Sequence, residues 1–205
     1  MDDRTLAAYA TDAPGYADDW ESQPAATDLQ DAVQHWFRPG RTADIGCGSG
    51  RDAEWLRSVR YEVTGYDASE ALLGEARRRH PLVPFEVATL PDLAELEPGT
   101  FQNVLCETVI MHLPVEEIPR AVAAMWALLK PGGTLYLTWR VTEGDSTRDD
   151  RGRLYSHFEP SLVLDSLTGA QIPLDTEGAS ASSGKVIHRL VARRPAASLD
   201  QSSSS

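Results

Sequence analysis

Hydrophobic positions change period along this chain, and the changes divide it. Leu6 and Tyr9, then Tyr16 and Trp20, stand at helical spacings on either side of Pro14-Gly15. This predicts two short helical pieces that need a surface to lie on, because neither is long enough to be stable alone. Leu29, Val33, Trp36 and Phe37 then fall at i, i+4, i+7 and i+8, behind Thr27 and Gln30 in the arrangement of a capping box, and Pro39-Gly40 closes this amphipathic helix. From Arg41 short apolar runs alternate with helical ones. Strands are expected over 42–45, 61–66, 84–88, 101–106 and 134–139. Between them lie a helix over 51–60, a helix capped by Ser69 that carries Leu72, Leu73 and Ala76, and a helix with Ile118, Val122, Met125 and Leu129 on one face, stopped by Lys130-Pro131-Gly132-Gly133. Two more strands are expected over 170–174 and 185–192, in a less regular last part. Strand, helix, strand repeated this often gives an α/β fold, a parallel sheet with helices on both faces. Residues 41–194 form that domain, 1–40 a helical lid or cap belonging to it, and 195–205, ending in four serines, a disordered tail.

Composition narrows the classes. At 205 residues the chain suits one domain with a substantial core. Nineteen Lys plus Arg against 31 Asp plus Glu leave a net charge of −12, which disfavours nucleic acid as a partner. The two cysteines, Cys47 and Cys106, read as small buried residues in a reducing compartment, so the cytoplasm is the expected location. The first residues lack a basic stretch leading into an apolar one, and the longest apolar run, Ala121 to Leu129, is too short to span a bilayer, so no membrane partner is expected. His35, His80, His112, His157 and His188 show no metal-ligand spacing with cysteine or carboxylate, so no metal is expected.

In an open α/β sheet the ligand sits beyond the carboxyl ends of the strands, so the residues just after each strand carry the chemistry. Asp44-Ile45-Gly46-Cys47-Gly48-Ser49-Gly50 follows the first, with glycines that let backbone approach a ligand closely. Asp67, 23 residues beyond Asp44, follows the second and is placed to accept both hydroxyls of a ribose. A dinucleotide site would want G-x-G-x-x-G, and Arg51 holds the place of its third glycine.

The segment Asp44 to Gly50, Asp67 after the next strand, the run FQNVLCETVIMHLP from Phe101 to Pro114 and the Leu129-Lys130-Pro131-Gly132-Gly133 turn together resemble the class I S-adenosylmethionine-dependent methyltransferases. The resemblance runs from about Arg41 to Arg140, with a family-like ending to about Arg194. It implies a three-layer αβα sandwich whose Rossmann-like sheet has seven mostly parallel strands and an antiparallel last one. The cofactor would be S-adenosyl-L-methionine, with Asp44 and Gly46, Cys47, Gly48, Ser49 and Gly50 at its methionine part. Asp67 and Ala68 would lie at the ribose, Ala88, Thr89 and Leu90 at the adenine, and Glu107 and Thr108 beside the methyl group. Two positions depart from the family pattern: no acidic residue stands at Ala88 or Thr89, and Gln102 replaces the usual Asp. Cys106-Glu107-Thr108-Val109 replaces the N-P-P-Y or D-P-P-Y of base-modifying and glutamine-modifying relatives, which counts against a DNA adenine or release-factor methyltransferase.

The expected reaction is methyl transfer to an oxygen, nitrogen or sulfur of a small molecule. His112 would act as general base or else tie down its turn. Trp139, Arg140 and Lys185 would face the acceptor, the two cations as a patch for an anion or as solvated charges. Tyr9, Tyr16 and Trp20 would form a lid whose ring faces attract the sulfonium, or ordinary packing. A tRNA- or protein-directed methyltransferase and a non-catalytic cofactor-binding module are the alternatives.

Overall fold

The computed structural model describes residues 1–196; the end of the tail, 197–205, lies outside the described residues. Seven strands form one sheet: β1 (Arg41–Ile45), β2 (Glu62–Asp67), β3 (Phe85–Val87), β4 (Phe101–Cys106), β5 (Leu129–Arg140), β8 (Gln171–Ala179) and β9 (Val186–Arg193). Their order is β3-β2-β1-β4-β5-β9-β8. Pairings from β3 through β5 are parallel, whereas β9 runs antiparallel to both β5 and β8. The switch point lies between β1 and β4, where connections leave in opposite directions, and it fixes where a ligand can sit. A two-stranded ribbon, β6 (Thr147–Arg148) with β7 (Leu154–Tyr155), was not foreseen, because strands of two residues carry no period.

Alternation along the strands divides the core between two faces. On β4, Val104 and Cys106 point one way and Leu105 the other; on β5, Leu135, Leu137 and Trp139 oppose Tyr136. One face receives α6 (Ile118–Leu128) through Ile118, Val122 and Met125, and α7 (Pro160–Leu164) through Val163. The other receives α3 (Thr27–Trp36), α4 (Arg51–Ser58) and α5 (Glu70–Arg79) through Leu29, Val33, Leu56 and Leu73. Each such fully buried aliphatic side chain contributes roughly 1.5–3 kcal/mol. The result is the expected three-layer sandwich.

Several expectations need correction. Thr27 is the first residue of α3, not its cap; Ala26 stands at the cap with no side-chain bond, so the capping box does not form. Because Leu29 and Val33 are buried in the sheet-facing core, α3 is a layer helix and not part of a lid. Leu129 ends α6 and already pairs with Phe101 across β4 and β5, so the strand begins before the Pro131-Gly132-Gly133 turn.

The remaining N-terminal part is α1 (Asp3–Thr11) and α2 (Ala13–Ser22). Asp2 caps α1, its carboxylate accepting from the Thr5 amide at 2.8 Å, and Asp12 caps α2, accepting from Gly15. Both helices rest on α5, where Ala13 and Tyr16 meet Leu72, and an ion pair of Arg79 with Asp18 and a hydrogen bond between His80 and Glu21 hold the edge. No helix among the described residues is long and apolar enough to cross a membrane.

Candidate active site

A cavity of about 320 Å³ opens at the carboxyl ends of β1, β2, β4 and β5, at the switch point. Its floor is the glycine loop. Gly46 and Gly48 have φ of +75° and +53°, and the Gly46 and Cys47 amides both donate to the Tyr66 carbonyl, at 2.7 and 3.0 Å. A Cβ on Gly48 would come within 2.7 Å of Trp20, so only glycine lets the α2 indole cover the loop. At the end of β2 the Asp67 carboxylate accepts from the Gly48 amide at 2.9 Å and the Ser69 amide at 2.8 Å, coupling loop and strand. Burial raises its pKa although these amides oppose the shift.

Glu107 stands where β4 ends. It accepts from the Thr138 hydroxyl at 2.7 Å, while the Thr108 amide donates to the same hydroxyl oxygen at 2.9 Å. Burial, helped by Asp52, pushes the Glu107 carboxyl up to about 8. Burial also raises Asp44 well above the ordinary carboxylate range, and the thiols of Cys47 and Cys106 rise for the same reason, which makes both poor nucleophiles.

The opposite wall carries His112, from the 3₁₀ turn Ile110–His112, with Tyr9, Arg140, Arg153, Tyr155 and Lys185. His112 is buried, and burial lowers its pKa to about 4. Its Nδ1 is 2.5 Å from the Leu154 carbonyl and its Nε2 3.0 Å from the Tyr9 hydroxyl. A carbonyl can only accept, so Nδ1 bears the hydrogen and Nε2 accepts from Tyr9. Arg153 is paired with Asp149 at 2.6 Å and lies over the rings of Tyr9, Tyr16 and Tyr155, at 5.5, 5.1 and 5.8 Å. Arg140 covers the Tyr155 ring at 5.0 Å, and neither it nor Lys185 has an ion-pair partner among the described residues.

The cavity wall thus unites Gly46, Cys47, Gly48, Ser49, Asp67, Ala68, Glu107, Thr108, His112, Tyr9, Arg140 and Lys185 from the sequence-derived set. Other members stand elsewhere. Asp44 lies behind the loop, buried, and Gly50 forms the left-handed entrance to α4. Ala88, Thr89 and Leu90 do not reach the cavity: Ala88 is bonded by its amide to the Asp67 carbonyl, Thr89 is exposed, and the Leu90 side chain is in the core. Tyr16 sits behind Tyr9, rings 4.9 Å apart, as packing. Trp139 points to the other side of β5, stacked on His188 at 4.3 Å, because neighbouring strand residues face opposite ways and Arg140 takes the cavity side. Sequence reasoning missed Arg51, Asp52, Arg153 and Tyr155. Arg51, directly after the loop, was legible from its place; Arg153 and Tyr155 lie in the ribbon, which gave no signal.

The glycine loop, the carboxylate after β2 and the sheet order define a Rossmann-like nucleoside-binding fold. Comparison with known proteins makes this particular. Residues 43–133 match the family profile described as a methyltransferase domain. The ubiquinone biosynthesis O-methyltransferase of Xanthomonas campestris pv. campestris (strain B100) is 37% identical over 106 residues, 49% of this chain and 43% of that protein. The chain therefore spans less than half the length of that curated relative. The 1,6-didemethyltoxoflavin-N1-methyltransferase of Burkholderia thailandensis, solved with 1,6-didemethyltoxoflavin and S-adenosylhomocysteine, superposes with a TM-score of 0.74 at 20% identity, over 94% of this chain and 88% of that one. A methyltransferase from Methanosarcina mazei gives 0.69 at 18% identity, over 80% and 97%. Over residues 43–133 the chain is therefore similar to the S-adenosylmethionine-dependent methyltransferases, whose fold it shares.

The residues present fit that cofactor. The Ser49 hydroxyl is buried in the cavity wall and has no hydrogen-bond partner among the described residues, as an oxygen awaiting a polar ligand would be. Beside it, Asp67, Ser49 and Glu107 gather polar oxygens on the same side as the loop.

Proposed function

We propose that this protein transfers the methyl group of S-adenosylmethionine to an oxygen, nitrogen or sulfur of a small-molecule acceptor. The observation that carries the reading is one small cavity with two chemically different sides. The glycine loop, Asp67 and Glu107 make one side, and Arg140, Lys185 and the Tyr9–His112 pair the other. About 320 Å³ is the lower end of what small-molecule sites enclose, which suits a compact acceptor better than a tRNA or protein surface. The O-methyltransferase named above supports oxygen, and the toxoflavin enzyme supports a small heterocycle as acceptor class. Two free thiols suit the reducing cytoplasm.

When bound, the cofactor supplies a methyl group on a positively charged sulfur. The chain's own task is to orient the acceptor, exclude water and take up a proton. Trp20 covers the loop, the glycine backbone and Asp67 hold the cofactor side, and Arg140 with Lys185 attract an anionic group on the acceptor. Calorimetry with S-adenosylhomocysteine and with NAD tests the cofactor, and release of S-adenosylhomocysteine with a panel of phenols, N-heterocycles and thiols tests transfer. Tighter binding of NAD would overturn the reading; tight S-adenosylhomocysteine binding with no turnover on any acceptor, tRNA and protein included, would favour a non-catalytic module.

A further inference from the structure

His112 cannot meet an acceptor directly. Its Nδ1–H is spent on the Leu154 carbonyl, and its one basic atom, Nε2, is covered by the Tyr9 hydroxyl at 3.0 Å. The rings of Tyr9 and Tyr155 stand edge-on to the imidazole, with centroids 5.7 and 5.0 Å away, so it has no second orientation that would free Nε2. The carbonyl that sets the tautomer is itself fixed. The Leu154 amide donates to the Thr5 hydroxyl at 2.9 Å, that hydroxyl donates to Asp2 at 2.8 Å, and Arg148 closes on Asp2 with bonds of 2.7 and 2.8 Å. Such a chain of supports holds one proton on one nitrogen. What His112 offers the cavity is therefore the Tyr9 oxygen, which after donating to Nε2 keeps lone pairs to accept from something else.

We propose that Tyr9 is the catalytic residue that takes the acceptor's proton, with His112 behind it as the positioning residue that receives the tyrosine's own. The inference rests on the methyltransferase reading above and names who moves the proton. As the acceptor's lone pair forms its bond to the methyl carbon and the S–CH₃ pair returns to sulfur, the acceptor's proton passes to Tyr9 Oη and the Tyr9 proton passes to His112 Nε2. Atoms and charge balance: one positive charge leaves the sulfur and one arrives on the imidazole, which later loses its proton to water. No free tyrosinate forms, so the buried Tyr9 hydroxyl, whose pKa burial raises, never has to ionise alone. The charged groups facing the pair are Arg153, which opposes an imidazolium, and Asp149 and Asp2, which favour it. Asp67 lies on the cofactor side of Tyr9.

Two measurements test this. In protein labelled with ¹⁵N-histidine, with and without S-adenosylhomocysteine, His112 should show the Nδ1–H tautomer and titrate well below an ordinary imidazole; Tyr9→Phe should keep the tautomer and shift the Nε2 resonance. In turnover with a catechol probe, Tyr9→Phe should lower kcat by roughly 10²- to 10⁴-fold with KM and S-adenosylhomocysteine affinity nearly unchanged. Adding His112→Ala should cost little more, because the two act as one unit. A thiophenol probe already ionised at the assay pH should lose less than threefold. An Nε2–H tautomer, or equal losses for the ionised and un-ionised probes, would overturn the relay while leaving the methyltransferase reading intact. Failure of S-adenosylhomocysteine to bind the wild type would overturn that reading instead.

Discussion

Replacing Glu107 by glutamine should make the protein more stable in alkali, by an amount the structure sets. Glu107 rises from an ordinary 4.5 to about 8, chiefly because its carboxyl is desolvated at the end of β4. Between those values the folded state binds a proton that the unfolded state has released, so stability falls as pH rises through the window. Each pH unit costs about 1.4 kcal/mol if the group is sealed off. Glu107 lines a cavity and is only half-buried, so water screens part of this, and a total of about 2–3 kcal/mol between pH 5 and 9 is the expectation. Glutamine keeps an oxygen that can accept the Thr138 hydroxyl and has no proton to lose. Urea unfolding at pH 5, 7 and 9 measures the difference. Wild type and variant should agree within about 1 kcal/mol at pH 5 and separate in the variant's favour at pH 9. Every other titrating group, His112 included, is common to both proteins and cancels. Parallel stability curves would refute the reasoning, showing that Glu107 ionises in the fold as freely as in water.

Other variants test the frame around the site. Gly46→Ala puts a methyl into the Val109 side chain at a φ of +75°, so urea unfolding should show a loss of about 2–4 kcal/mol from strain and overlap together; a loss under about 0.5 would mean the loop relaxes freely. Asp67→Ala removes the acceptor of the Gly48 and Ser69 amides, and calorimetry should show S-adenosylhomocysteine bound at least tenfold more weakly. Asp2→Asn weakens the pair with Arg148, which holds the Asp2 carboxyl well below the usual range; the folded pKa is depressed, so wild-type stability from this pair is fully present at neutral pH and is lost as pH falls through the depressed folded pKa, and urea unfolding should show the variant about 1–2 kcal/mol less stable at pH 7, with the gap narrowing as pH falls below about 4.

The parts of this protein legible in its sequence are those where period and spacing carry the information. Alternation marked β1, β2, β4 and β5, and the turns after β1 and β2 marked the loop and Asp67, because short strands ending in glycine and aspartate leave few other readings. β8 is longer than its apolar run, since an edge strand continues through Asp175, Thr176 and Glu177 on backbone pairing and on the hydrogen bonds of the Asp175 and Glu177 carboxylates with the His188 ring of β9. Thr27 looked like a cap because capping is local, yet the turn before it was set by packing of Ala26 and Leu29. The acceptor side was least legible. His112, Arg140 and Lys185 follow or precede strands and so could be placed, but Trp139 needed the knowledge of which way β5 faces. Arg153 and Tyr155 come from the β6–β7 ribbon, whose position depends on contacts with residues near position 1.

Those contacts order events in time. Asp2, Thr5 and Tyr9 find their partners at Arg148, Leu154 and His112. During synthesis at roughly 5–20 residues per second, α1 leaves the ribosome on the order of ten seconds before the ribbon it clasps. The Tyr9–His112 wall thus cannot be fastened until the ribbon has been made. A nascent chain halted before the ribbon would carry a finished glycine loop and Asp67 without Arg148 and Leu154 to fasten its first helix.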